Sequence, residues 1–237
     1  MNVPAIDRTI RQMCLEVESL SGQERDWRSL SEEQLLYEAS ICIFGSQTVF
    51  EIAVAAADRV RAAGLLKMPP VATIPHDYAD RLVSLLSAPV SLETNGIRRQ
   101  VLPRFRNRLA FLLSATVQTI HGSGSSLRAI LSSATSGHHA RELLVEKVAG
   151  FGPKQASLFL RRAGFCSELA VLDRHVLHYL RIARGLHLES HALSRLPTYA
   201  RVENEFRRMA TEFGHTIGCV DLATWITIRV AKREAML

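Results

Sequence analysis

The spacing of apolar residues along this chain predicts α-helices over most of its length. Between about residues 5 and 20, apolar side chains recur every three or four positions, as they do on one face of a helix. Ser31-Glu32-Glu33-Gln34 forms a capping box, so a second helix is expected to begin there. No stretch alternates apolar and polar residues as a half-buried strand would, and no hairpin turn pair demands a sheet. The sequence therefore predicts an all-α fold.

Proline and glycine mark the connections between the later helices. Helices are expected at about 48–63, 77–86, 104–121, 127–131, 198–213 and 220–235, with a central helical motif at about 138–184. Residues 65–76 and 89–96 contain the clearest breaks and are expected to be loops.

Length and charge narrow the class of protein. A chain of 237 residues can bury a substantial core, as one domain or as two closely apposed lobes. No run reaches the ~18 apolar residues of a membrane span, and the N-terminus lacks the form of a signal peptide. We therefore expect a cytoplasmic protein with no targeting signal and no membrane partner. The net charge of +6 is compatible with a polyanionic partner.

The four cysteines lie far apart in the sequence, at Cys14, Cys42, Cys166 and Cys219. They form no Cys-x-x-Cys pair and no four-cysteine cluster. The spacing argues against structural zinc and against an iron–sulfur cluster, so no metal site is expected.

A glycine-rich connection lies at the centre of the chain. In Gly150-Phe151-Gly152-Pro153-Lys154 each glycine can adopt a positive φ, which allows a very tight turn between helices. Pro153 is suited to the first turn of the following helix, where a missing N–H costs nothing. Lys154 is then held in that first turn. Asp173 follows nineteen residues later, at a natural start for the next helix, where a carboxylate can act as an N-cap.

This combination, Gly-Phe-Gly-Pro-Lys followed by Leu172-Asp173-Arg174-His175, resembles the catalytic segment of the helix–hairpin–helix DNA glycosylases. It is most similar to the type-2 8-oxoguanine DNA glycosylase/AP lyases of archaea and bacteria. The resemblance implies that family's fold, with two helical lobes and the active site in the cleft between them. The expected lobes are residues 1–100 plus 196–237, and residues 101–195. It also implies a monomer that acts near the nucleoid on double-stranded DNA containing a damaged base.

The resemblance assigns the chemistry to two residues. Lys154 matches the nucleophilic lysine, which attacks the sugar C1′ and forms a Schiff base. That role requires the amine to lose its proton near neutral pH, aided by desolvation and by the positive end of its helix. Asp173 matches the catalytic aspartate, which orients the lysine and stabilises the charge developing on the sugar. In the competing interpretation Lys154 is a solvated residue and Asp173 only a cap.

The resemblance also implies a base pocket, which holds a base flipped out of the duplex. Trp225 lies in a segment similar to the family's Asp-Leu-x-x-Trp and is expected to stack on the base, with a core tryptophan as the alternative. The other pocket candidates lie in two family-like segments and are Gln47, Ser46 and Phe105.

Phosphate contacts are expected from the hairpin glycines and from basic residues at helix starts. These candidates are Gly150, Gly152, His175, Arg174, Arg104 and Arg108. Two arginine clusters, at about 98–108 and 161–174, contain further candidates, and a buried or solvated His175 is the competing interpretation. No cofactor is required, although related hairpins hold a monovalent cation through their carbonyls.

One departure from the family leaves the substrate open. The type-2 enzymes end in a lysine that helps to recognise 8-oxoguanine, whereas Glu234 stands at about that place here. The first hypothesis is excision of 8-oxoguanine with β-elimination. The alternatives are the same mechanism on a different damaged base, and a non-catalytic DNA-binding protein in which Lys154 only touches phosphate.

Overall fold

The structure of the chain is a computed structural model. It describes residues 2–20, 25–46, 48–67, 74–94, 97–188 and 190–234. The chain divides into two compact units, one formed by Met1–Arg25 with Gly152–Leu237 and the other by Asp26–Phe151. As predicted, the two ends of the chain belong to one unit, but the bounds differ from the predicted lobes because residues 26–100 group with residues 101–151, and residues 152–195 group with the two ends.

The first unit contains five α-helices among its described residues. They are α1 (Val3–Leu20), α8 (Pro153–Ala163), α9 (Arg174–Arg184), α10 (Leu196–Phe213) and α11 (Ile217–Glu234). A short 3-10 helix, Ser190–Ser194, precedes α10. Helix α11 packs against α1, α9 and α10. The core between these helices includes Ile10, Tyr179, Tyr199, Phe206 and Val220, all at most 1% exposed.

The second unit contains six helices and two strands among its described residues. The helices are α2 (Glu32–Phe44), α3 (Phe50–Ala62), α4 (Tyr78–Leu86), α5 (Arg106–Ile120), α6 (Leu127–Ser133) and α7 (Gly137–Lys147). The predicted capping box at the start of α2 is confirmed, since Ser31 and Gln34 exchange hydrogen bonds. Glu32 in the same turn accepts the backbone N–H groups of Leu127 and Arg128 and so caps α6 as well.

The second unit also contains an antiparallel hairpin, which the sequence analysis missed. Strand β1 (Val90–Thr94) pairs with β2 (Ile97–Val101), with Val90 opposite Val101. Residues 89–96 were expected to be a loop, and this small hairpin is an addition to a fold whose predicted all-α class is confirmed. The strands are too short for a clear alternation, but the Asn95-Gly96 dipeptide between them is the strongest short-range signal of a two-residue hairpin.

The predicted positions of the helices are otherwise confirmed to within a few residues. No helix in the described ranges combines the length and apolar character needed to cross a membrane.

Candidate active site

The connection before Lys154 is a tight turn in which the two glycines behave differently. The Phe151 N–H donates to the Val148 carbonyl across 3.1 Å, which closes a β-turn directly after α7. Gly150 occupies the third position with φ +83°, and a Cβ there would lie 2.8 Å from Leu112 Cδ1. Gly152 is extended, with φ −104°, and a Cβ there would make only an ordinary contact, 3.7 Å from Gln155 Oε1. The expectation of two positive-φ glycines is therefore correct for Gly150 only.

Lys154 lies in the first turn of α8, as predicted. Gly152 is the N-cap and supplies no side-chain cap, and Pro153 occupies the first helical position. Lys154 is half-buried in the second position. This places an amine beside the positive end of the helix macrodipole, where a cation is disfavoured.

Asp173 is the N-cap of α9. One carboxylate oxygen, Oδ1, accepts the backbone N–H groups of His175 at 2.8 Å and Val176 at 3.0 Å. The N–H of Asp173 itself donates to the Val171 carbonyl across 2.6 Å. These bonds fix the orientation of the half-buried carboxylate, so the capping role that the sequence suggested is present whatever further role the residue has.

The three residues before Asp173 are held by buried side chains instead of by a neighbouring strand. Glu203 accepts the N–H of Ala170 at 2.9 Å, and Asp221 accepts the N–H of Val171 at 3.2 Å. The hydroxyl of Tyr199 accepts the N–H of Leu172 at 3.0 Å and donates to the Ala170 carbonyl at 2.8 Å. The three side chains come from α10 and α11 and are at most 1% exposed. We call Tyr199, Glu203 and Asp221 the buried polar network.

The same network binds the helix that carries Lys154. Arg161 on α8 forms an ion pair with Asp221, and Ser157 on α8 forms a hydrogen bond with Tyr199. Ser157 and Arg161 follow Lys154 by three and seven residues, so the three residues lie on one side of α8. One set of buried groups therefore determines where both the lysine-bearing helix and the aspartate-bearing segment lie.

Burial shifts the protonation equilibria in this network. Desolvation raises the pKa of Asp221 to about 6, although the ion pair with Arg161 and the hydrogen bond from Val171 act in the opposite direction. Burial likewise raises the pKa of Tyr199, which keeps its hydroxyl able to donate at neutral pH. The Oδ1 atom of Asp221 is buried and makes no hydrogen bond to any described residue.

Trp225 lies beside the start of α9. Its ring and that of His175 meet edge to face, with centroids 6.3 Å apart, and the Arg229 guanidinium stacks 4.7 Å above the indole. The tryptophan is half-buried, whereas the His175 side chain is buried and accepts from Arg174 Nε at 3.3 Å. Burial lowers the pKa of His175, so its imidazole is neutral near pH 7. The ring predicted to meet phosphate thus packs against Trp225, the residue predicted to stack on the base.

The remaining candidates belong to the second unit. Phe105 is 54% exposed and has φ +56°, and no other non-glycine residue in the described ranges has a positive φ. A bulky residue in this left-handed region is strained. Arg104 and Arg108 flank it and are exposed, and Ser46 is half-buried. Gln47 lies outside the described residues.

The sequence analysis missed the buried polar network. Asp221 was noticed only as the first residue of the Asp-Leu-x-x-Trp segment and was given no role, and Arg161 was placed in a DNA-facing cluster instead of an ion pair. A carboxylate within an otherwise apolar helical stretch was the available signal, because such a group is buried only when it is paired.

Taken together, the turn, the start of α8 with Lys154 and the start of α9 capped by Asp173 define a helix–hairpin–helix protein of the DNA glycosylase class. A family model described as 8-oxoguanine DNA glycosylase matches residues 90–215, more than half of the chain. The chain belongs to this 8-oxoguanine DNA glycosylase family, and the predicted recognition is confirmed.

Two curated relatives are named 8-oxoguanine DNA glycosylase/AP lyase. The chain is 37% identical to that of Metallosphaera sedula and 40% identical to that of Thermoplasma volcanium, each over 86 residues. The matched region covers 36% of this chain and 40% of each relative. The sequence match therefore spans about two fifths of the length of these relatives.

Solved structures resemble the chain over nearly its whole length. The 8-oxoguanine DNA glycosylase of Thermotoga maritima superimposes with a TM-score of 0.70 at 22% identity, covering 94% of this chain and 96% of that one. The Methanocaldococcus jannaschii 8-oxoguanine glycosylase/lyase, solved with a 15mer DNA containing 8-oxoguanine, gives 0.65 at 20% identity, covering 95% and 90%. These matches confirm the helix–hairpin–helix glycosylase fold.

Proposed function

We propose that this protein is a DNA glycosylase with AP lyase activity that excises 8-oxoguanine, with Lys154 as nucleophile and Asp173 as its catalytic partner. One observation carries the proposal: the buried polar network orders both the helix bearing Lys154 and the segment bearing Asp173. Family membership supports the choice of 8-oxoguanine.

The chemistry assigned to Lys154 proceeds in two stages. The neutral amine attacks C1′ of the damaged nucleoside, the bond from C1′ to the base breaks, and the base leaves with a proton. Opening of the sugar ring then yields a Schiff base between Lys154 and C1′. Loss of a C2′ proton expels the 3′ phosphate by β-elimination, and water releases the lysine.

Asp173 supplies the negative charge that these reaction steps need. Positive charge develops on the sugar as the base departs, and a fixed carboxylate stabilises it without reorganisation. The two backbone N–H groups bound to Oδ1 hold the carboxylate in place. Because both cap bonds use one oxygen, the other oxygen is the candidate for facing the substrate.

Recognition of the base is assigned to Trp225, whose indole stacks with Arg229 and contacts His175. The proposed partner is double-stranded DNA, bound by a monomer without a required cofactor. A monovalent cation at the hairpin and a location in the cytoplasm stay predictions. Excision of another damaged base is the alternative, suggested by Glu234 near the place of the family's terminal lysine.

Borohydride trapping tests the proposal, because only a Schiff base is reduced to a covalent protein–DNA adduct. Wild type should form an adduct with a duplex that contains 8-oxoguanine, and Lys154→Gln should form none. Lys147→Gln is the matched control, since Lys147 is an exposed lysine at the end of α7. It should trap as wild type does.

The other outcomes distinguish the hypotheses. A Lys154-dependent adduct on an abasic-site duplex alone would retain the mechanism and reassign the base. An adduct that persists in Lys154→Gln would refute the nucleophile. No adduct on either duplex, with binding retained, would leave a DNA-binding module.

A further inference from the structure

A cluster of metal-ligating side chains lies apart from the residues assigned to catalysis. Cys14 belongs to α1, Cys219 to the first turn of α11, and His215 to the connection between α10 and α11. One ligand atom from each lies within 4.8 Å of the others. Both cysteines are buried and free of disulfide bonds, and the His215 side chain is 13% exposed.

Glu18 adjoins the cluster through His215. Its Oε1 lies 2.9 Å from His215 Nδ1, and it also interacts with the thiol of Cys219. Cys219 Sγ lies 3.4 Å from the Cys14 carbonyl oxygen. Two thiols and an imidazole therefore converge from two helices and one connection within a single compact unit, with the Glu18 carboxylate next to the imidazole.

This donor set fits zinc better than other common ions. Two sulfur ligands with one nitrogen ligand favour Zn²⁺ over Mg²⁺ or Ca²⁺, which prefer oxygen. Tetrahedral zinc with Zn–S near 2.3 Å and Zn–N near 2.1 Å holds neighbouring ligand atoms about 3.3–3.8 Å apart. Contraction by about 1 Å from the observed limit of 4.8 Å is enough to reach that geometry.

We propose that Cys14, Cys219 and His215 bind one Zn²⁺ ion, with Glu18 as fourth ligand or as the hydrogen-bond partner that orients the imidazole. The ion fastens α1 to the start of α11, the helix that carries Asp221 and Trp225. Binding replaces two thiol protons, and its free energy adds to that of folding.

The expectation of no metal site rested on the distance between cysteines along the chain. That argument fails here because α1 packs on α11 and brings residues 14 and 219 together. The local signal was a pair of four-residue spacings. Cys14 and Glu18 lie on one face of α1, and His215 lies just before the helix that carries Cys219.

Cobalt substitution provides the direct test, carried out on the full chain under reducing conditions and without DNA. Titration with Co²⁺ should saturate at one equivalent, with thiolate-to-metal charge transfer in the near ultraviolet and the intense visible bands of a tetrahedral site. Zn²⁺ should abolish these bands and raise the melting temperature. This readout is independent of the proposed glycosylase activity.

Four variants at the site and one control locate it. Cys14→Ser and Cys219→Ser should each lose charge-transfer intensity, and Cys166→Ser should retain all of it. Because a buried cysteine change can impair folding, His215→Gln and Glu18→Gln are included at less buried positions. His215→Gln should abolish tight binding, and Glu18→Gln should weaken it by about 10–100-fold if it acts on the imidazole.

Two results would overturn the proposal. One is the absence of charge-transfer bands in folded wild type at stoichiometric Co²⁺. The other is the same bands in Cys14→Ser and Cys219→Ser, or in a folded His215→Gln. If the reduced protein binds neither Co²⁺ nor Zn²⁺, and oxidation forms a Cys14–Cys219 disulfide, the cluster is a redox-active thiol pair instead.

Discussion

Helices α8 and α9 are alike except at their N-termini. Each has eleven residues and ends at a left-handed glycine, Gly164 in one and Gly185 in the other. Helix α9 begins with Asp173, whose carboxylate accepts two of the first backbone N–H groups. Helix α8 begins with Gly152 and Pro153, has no side-chain cap, and carries Lys154 in its first turn.

The two helix starts differ in how far they follow the rules for a stable helix. A negative cap stabilises a helix start, whereas a cation there is disfavoured by the helix dipole. The start of α9 therefore follows the rule for a stable helix, and that of α8 departs from it at the residue assigned as nucleophile. The departure is tolerated because Ser157 and Arg161 bind α8 to the buried polar network.

The largest expected effect is on the rate of base excision. It comes from removing the charge of Asp173 at the start of α9 while keeping a side chain that caps the helix. Asn is as good an N-cap as Asp, so Asp173→Asn should leave the melting temperature nearly unchanged. The rate of base excision should fall by about 10²–10⁴-fold, because the developing charge loses its partner. Single-turnover kinetics beside thermal unfolding measure both. An unchanged rate would reduce Asp173 to a cap.

A second prediction concerns the network that serves both helix starts. The pKa of Asp221 is raised from 3.8 to about 6, so its folded form holds a proton more tightly than the unfolded chain. The stability that this contributes is present below about pH 4 and is lost as pH rises through about 6. Asp221→Asn keeps an acceptor for Val171 and does not titrate.

Over this window the free energy of unfolding of wild type should fall, relative to Asp221→Asn, by up to about 3 kcal/mol. Urea unfolding of the two proteins at several pH values measures the difference. Parallel pH curves would contradict a buried carboxylate that resists ionisation.

Replacing Trp225, which lies beside the start of α9, tests whether this residue lines the base pocket or belongs to the core. Stacking a base on an aromatic side chain contributes about 1–3 kcal/mol. Trp225→Leu should therefore weaken binding of a lesion duplex by about 10–100-fold, with little change for undamaged DNA. A large loss of melting temperature with equal loss on both duplexes would identify a core tryptophan instead.

The two hairpin glycines should respond with opposite signs to one replacement. Gly150→Ser should cost about 1–2 kcal/mol, since the left-handed conformation disfavours a Cβ and Leu112 lies in its path. Gly152→Ser should stabilise by a few tenths of a kcal/mol, because serine provides the cap that α8 lacks. Chemical denaturation of both variants measures this, and equal effects would contradict the different backbone conformations.

The smallest expected effect comes from removing the positive charge of Lys154 at the start of α8. Lys154→Gln should raise the free energy of unfolding by about 0.3–1 kcal/mol, because it removes a charge from the positive end of α8. Lys147→Gln is the mirror control in the last turn of α7, where the same change should lower stability slightly. Unfolding at low salt measures both, and a shared sign would show that the dipole argument fails.

Local sequence was sufficient for the helices and their starts, whereas the chemical roles of Lys154 and Asp173 were assigned by the resemblance to a known family. The capping box at Ser31, the proline after Gly152 and the carboxylate at Asp173 each act within one turn of helix, so their spacing alone predicted their positions. The hairpin at β1 and β2 was missed because its signal was a single dipeptide in a segment too short for periodicity. The conformation of Gly152 was missed because the residue type permits φ of either sign.

By itself, then, the sequence determined where helices begin and end, that Lys154 lies in a first turn, and that Asp173 caps the next helix. Only the tertiary structure decided that Tyr199, Glu203 and Asp221 together bind helix α8 and the segment before α9. It alone also decided that Cys14 lies beside Cys219. The physical reason is range: caps and turns depend on atoms a few residues apart, whereas buried polar pairs and ligand clusters depend on which helices pack together.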